Sequence, residues 1–253
     1  MLDTSVLENI SEQERAVRYD LAAFYRLLAH FRMTDVIDTH ISARVPGEHG
    51  VFLINRYGVL FEHIRASDLI KVDYEGNVVQ DVARGAVNKA GLNIHSAIHA
   101  AREDVGCVVH THTSAGIAVS AQDEGLLPMS QHALKFYQRI GYHDYEGIAL
   151  SPSERKRLVT DLGPHRAMIL RNHGLLAVGR TVQEAFNQIY FLERACQAQV
   201  LAVRSGRKLR FPPPEVCELT ARQSQAELDQ NLDVLAWNAL LELIDKQMPE
   251  YRS

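Results

Sequence analysis

Two apolar runs constrain this chain more than anything else in it: VGCVVHTH at 105–112 and AMILRNHGLLAVG at 167–179. The first is short, rich in valine and interrupted by glycine, and it reads as a buried strand. The second reads as a strand, a tight turn and a second strand. Both carry histidine where a strand gives way to a turn.

Helical patterns surround these runs. In SEQERAVRYDLAAFYRLLAHF, Ser11 and Glu14 have the spacing of a capping box. Val17, Leu21, Phe24, Leu28 and Phe31 then recur at three- and four-residue steps and predict one apolar helix face. DTHISARVPGEHGVFLINRYGVL has a turn (PGEHG) between short β-rich runs, as a hairpin does, and ASDLIKVDYEGNVV repeats the style with YEGN as its turn. Residues 88–102 predict a helix with Leu92, Ile94, Ala97, Ile98 and Ala101 available to a core, and a further helix is expected to begin near His112. A capping box at Ser151 and Glu154 opens SPSERKRLVTDLG, and Thr181 with Glu184 opens the longest helix, which stops at Gly206. The prolines at 212–214 end regular structure and lead to a final helical segment closing on LLELIDKQM. Strands interleaved with helices predict one α/β domain over residues 1–210, with a C-terminal helical extension, 211–253, packed on it.

At 253 residues the chain can bury a sizeable core. Its net charge of -4 and lack of a dense basic run argue against a nucleic-acid partner. Cys107, Cys196 and Cys217 are far apart and too few for a disulfide framework, which suits a reducing cytoplasm. The acidic N-terminus lacks the apolar core of a signal peptide, and no apolar run approaches the length of a membrane span.

Residues two apart on a strand face the same side, so His110 and His112 can aim both imidazoles at one point. His173, in the NHG turn, can project from a sheet end too. Three imidazole nitrogens with a fourth position open are a recurrent catalytic zinc arrangement. The alternative is that each histidine makes one hydrogen bond and binds nothing, and spacing alone does not choose between them.

The ordered set FLINRYGVLFEHIRASDLIKVD, NKAGLNIHSAIHAARED, HTHTSAG, RNHGLLAVG and TVQEAF resembles the class II aldolase/adducin family, from about residue 14 to residue 210. The resemblance implies a three-layer αβα sandwich around a mainly antiparallel sheet, assembled as a homotetramer or other homo-oligomer. It also implies Zn²⁺, or another divalent metal, on His110, His112 and His173. In the family's fuculose and rhamnulose phosphate aldolases that metal polarises substrate oxygens and stabilises an enediolate.

The resemblance breaks at other positions. The aldolase general base, a glutamate, falls at Gly91, which has no side chain to take a proton. Two phosphate-holding serines fall near Lys89 and Ala90, and a Gly-Asn phosphate turn reads here as Thr39-His40. The wording is closer to the adducin-like branch. The expectation is therefore a metal-dependent carbon–carbon lyase, of aldolase or decarboxylase type, acting on a small oxygenated carbonyl or carboxylate compound through a metal-stabilised enolate. It is not expected to be a standard sugar-phosphate aldolase. The competing expectation is a non-catalytic, adducin-like interaction module.

Other positions carry expectations as well. His132 falls close to the tyrosine that protonates the leaving group in the aldolases, and would be catalytic. Asn55 and Gly58 match a substrate-cradling turn, though NRYG is also ordinary turn chemistry, and Lys89 could meet a carboxylate or phosphate. His95 and His99, four apart on a helix, can chelate a metal or simply point at neighbours, and YHDYEG at 142–147 forms a polar-aromatic cluster.

Overall fold

The computed structural model describes residues 5–80, 86–148 and 153–253. Its first long helix, α1 (Glu12–His30), begins where Ser11 accepts a hydrogen bond from the Glu14 backbone N–H. The expected box is only half formed. The Glu14 carboxylate turns away to hold Arg18 at 2.9 Å and Lys71 at 2.7 Å, because a buried cation needs its counter-charge more than a helix end needs a second cap.

Four antiparallel strands follow: β1 (His40–Arg44), β2 (Val51–Ile54), β3 (Ile70–Asp73) and β4 (Val78–Gln80). The YEGN turn joins the last two, with Gly76 at φ 90° and the Asp73 carboxylate accepting from Glu75 and Asn77 N–H. Helix α2 (Lys89–Ala101), capped by Asn88, leads into β5 (Cys107–Thr111). Two short helices, α3 (Ser114–Ser120) and α4 (Gln131–Leu134), precede β6 (Ile140–His143) and α5 (Glu154–Leu162). The Ser151 half of the expected α5 capping box lies outside the described residues. The hairpin β7 (Ala167–Leu170) and β8 (Gly174–Gly179) then leads to α6 (Val182–Arg204), capped by Thr181.

Among the described residues, eight strands form one sheet in the order β4-β3-β2-β1-β5-β8-β7-β6, and only the β6–β7 pair is parallel. Side chains alternate across it. On β5 and β8, Cys107, Val109, Leu175 and Ala177 join the core beneath α1 and α6. Val108, Leu176 and Val178 face the other way and pack with Ile94 and Ile98 of α2 and Leu158 and Leu162 of α5. This is a three-layer αβα sandwich, and the alternation decides which face of β5 presents histidine.

Beyond α6 the single final helix expected from the sequence is two helices, α7 (Pro214–Asp229) and α8 (Asp233–Gln247). Pro214 does not stop structure; it opens α7, where a missing N–H costs nothing. Asn231, at φ 54°, breaks the path between the two. Trp237 of α8 packs edge-on to Phe24 at 6.4 Å and donates from Nε1 to Asp20. No helix among the described residues is long and apolar enough to cross a membrane. All three cysteines are buried free thiols.

Candidate metal centre

His110 shares the α2-facing side of β5 with Val108, and the strand ends one residue later, so His112 leaves the sheet beside it. The β7–β8 turn brings His173 to the same place. Asn172 there takes φ 55°, a left-handed conformation that asparagine tolerates well. Gly174 lets the turn press against β5: a Cβ at that position would lie 2.4 Å from the Thr111 carbonyl oxygen.

The three Nε2 atoms converge. They lie 2.8 Å (His110 to His112), 3.2 Å (His110 to His173) and 2.9 Å (His112 to His173) apart. Two of the rings are oriented from behind. His110 Nδ1 donates to the Leu175 carbonyl oxygen at 2.9 Å, and His112 Nδ1 lies 3.0 Å from the Asp35 carboxylate. That bond fixes the His110 tautomer with its Nε2 lone pair inward, and the Asp35 contact favours the same for His112. Burial, then the neighbouring imidazoles, holds His110 well below the ordinary histidine range and brings His173 down to about 4. Both are therefore neutral at neutral pH.

Converging lone pairs repel one another unless a cation sits between them. Tetrahedral zinc, with Zn–N bonds of about 2.1 Å, spaces its nitrogens about 3.4 Å apart, slightly wider than found here. The donor set fits the ion, and no fourth His, Cys, Asp or Glu joins the cluster among the described residues. Three ligands with an open position is a catalytic rather than a closed structural pattern.

Gly91, on α2, faces His40 of β1. A Cβ there would lie 2.2 Å from Cδ2 and 2.5 Å from Nε2 of His40, so the His40 ring occupies the space that a side chain at 91 would need. His40 pairs with His110 across β1 and β5, and their ring centroids are 5.2 Å apart. His95 and His99 point at a shared neighbour rather than at a common metal position. Both are buried and bridged by Ser42, at 2.5 Å and 2.8 Å.

The remaining expected site residues are placed elsewhere. Asn55 is 3% exposed, and its side chain pairs with the Tyr25 hydroxyl at 2.9 Å. Gly58 occupies an open turn at φ 91°, and Lys89 is exposed in the first turn of α2. His132 stacks on Phe191 in a cleft shared with Lys135 and residues of α7 such as Thr220 and Glu227, apart from the three histidines. Within the 142–147 cluster, Tyr145 approaches His173 at 6.2 Å, His143 bonds Asp161 at 2.7 Å, and Glu146 pairs with Arg157. Asp35 was missed by sequence reasoning. It lies in an irregular segment between α1 and β1, where neither aspartate of MTDVIDTH belongs to a recognisable motif.

Comparison with known proteins places the fold. Residues 19–200 match the family profile described as "Class II Aldolase and Adducin N-terminal domain". A crystal structure of an aldolase II superfamily protein from Pseudomonas syringae is 51% identical and superposes with a TM-score of 0.95, covering 98% of this chain and 100% of that one. L-fuculose 1-phosphate aldolase from Glaciozyma antarctica is 28% identical with a TM-score of 0.83, over 100% of this chain and 96% of that one. Alpha-adducin of Rattus norvegicus is 46% identical over 198 residues, which are 76% of this chain and 26% of that protein.

Proposed function

The chain belongs to the class II aldolase and adducin family, and from that premise we propose that it is a divalent-metal-dependent lyase acting on a small oxygenated carbonyl or carboxylate compound. The observation that carries this reading is the convergence of three imidazole Nε2 atoms with no fourth protein ligand among the described residues. Zinc is our first choice, because imidazole nitrogens in a three-ligand set suit it.

A divalent ion on His110, His112 and His173 would polarise substrate oxygens and stabilise negative charge that develops on them. The chain's own contribution is orientation. The Leu175 carbonyl and Asp35 hold two of the rings in register, and burial keeps His110 and His173 unprotonated. Aldol addition begins with abstraction of a C–H proton and aldol cleavage ends with its return to carbon, and Gly91 offers no group for either. Loss of CO₂ requires no such abstraction, so a decarboxylase accounts for these residues more simply than an aldolase. We also take the working form to be a homo-oligomer. Leu201 and Leu235, 69% and 70% exposed, supply apolar surface for it.

The test is turnover by metal-loaded protein across a panel of hydroxy-aromatic acids, sugar acids and hydroxy ketones. Carbon dioxide or aldehyde release that disappears on chelation supports the reading. Metal uptake without turnover on the whole panel favours a second reading, an interaction module, to which the identity to part of alpha-adducin lends support.

A further inference from the structure

His40 is not one of the three converging histidines, yet it stands beside them, its ring centroid 5.2 Å from that of His110. It is 4% exposed, and its Nδ1 lies 2.7 Å from His95 Nε2. His95 Nδ1 in turn lies 2.5 Å from Ser42 Oγ, which lies 2.8 Å from His99 Nε2. Four polar side chains thus form one buried file under the sheet, from α2 to β1. Each N–H or O–H donates to the next group, and the file can run in either direction. Either way, Nδ1 of His40 is committed and only Nε2 remains for a further partner. That atom has no hydrogen bond among the described residues.

Two features show that the ring is held in place rather than merely tolerated. The first is Gly91, where the Cβ of any other residue would fall 2.5 Å from His40 Nε2. The second is Thr39, a β-branched residue at φ 76°, buried at 1%, immediately before His40. Such a conformation is costly for threonine, and strain of this kind persists where the surroundings over-determine it.

We propose that His40 is a substrate-contacting residue of the metal centre, its Nε2 held toward a hydroxyl or carbonyl oxygen of the bound compound by the file through His95, Ser42 and His99, with the missing side chain at Gly91 leaving it room. This rests on the metal-enzyme reading above and adds to it a second, non-metal contact for a small two-oxygen compound such as a hydroxy acid or hydroxy ketone. A pre-oriented buried group makes such a contact at little further entropic cost.

The experiment uses the zinc-loaded full chain and acetohydroxamate, a small two-oxygen chelator, with binding followed by calorimetry and metal content measured for every variant. His40→Asn keeps a group near Nδ1 for His95 but has no atom at Nε2, whereas His40→Gln keeps a nitrogen near Nε2. The expected result is a loss of about tenfold in affinity for His40→Asn, and no more than about threefold for His40→Gln, at unchanged metal content. Gly91→Ala, which must displace the ring, weakens binding in the wild-type background and adds nothing to His40→Asn, since both act through one group. Wild-type affinity in His40→Asn, or equal Gly91→Ala effects in both backgrounds, overturns the inference and leaves the metal centre standing. Absence of metal in the wild-type protein overturns both. If His40→Asn does not fold, Gly91→Ala decides alone: unweakened binding at full metal content overturns the inference.

Discussion

The Asp35 carboxylate lies 3.0 Å from Nδ1 of His112, on the side of the ring away from the other two histidines. A carboxylate in that position fixes the ring's orientation and makes Nε2 a better donor to a metal. Asp35→Ala should weaken zinc affinity by about tenfold, the low end for such a partner because the carboxylate is 48% exposed. Competition against a chromophoric chelator measures this; an unchanged affinity would mean that Asp35 does not act on the ring.

Thr113 ties the segment after His112 to α6. Its hydroxyl accepts from Gly116 N–H at 3.2 Å, capping α3, and donates to the buried Glu193 carboxylate. Thr113→Val removes the cap and leaves that carboxylate short of a donor, for an expected loss of about 3 kcal/mol in urea unfolding. Thr113→Ser should recover most of it. Equal stability of the two variants would assign the effect to shape alone.

Burial holds His40 and His95 well below the ordinary histidine range and His99 at about 3. In the unfolded chain these groups titrate near about 6.5. Between the two values the unfolded chain takes up protons that the folded chain refuses, so stability falls as pH falls. Each group contributes a slope of up to about 1.4 kcal/mol per pH unit. Above about pH 7 the slope from these groups vanishes. Urea titrations of metal-free protein should show this decline setting in below about pH 6.5, with a shallower slope in His99→Gln. A wild-type stability flat down to pH 4.5 would contradict it.

Much of this molecule is legible in its sequence. The apolar runs at 105–112 and 167–179 read as interior strands, the second with a tight turn in it, and the structure forms them as such; their alternation assigns Val108 and His110 to one face. The convergence of His110, His112 and His173 follows from strand ends and a tight turn, which are local features. What escaped notice depends on partners distant in sequence. Glu14 reads as a cap until Lys71 of β3 claims it. Thr39-His40 reads as a lost phosphate turn, but its positive φ and the His40 ring filling the space at Gly91 become visible only once β1 lies beside α2. The prolines at 212–214 look like a terminator because proline ends helices more often than it opens them in a reader's eye, yet at the first helical position it does no harm.

The account rests most heavily on the three-histidine centre, and the most direct measurement is the metal content of the full chain after saturation with zinc and removal of excess. The expected result is one tightly held zinc per chain in the wild-type protein and none in His112→Ala, with both proteins equally folded by circular dichroism. A wild-type chain that retains no metal, or a His112→Ala chain that retains as much as the wild type, would contradict it.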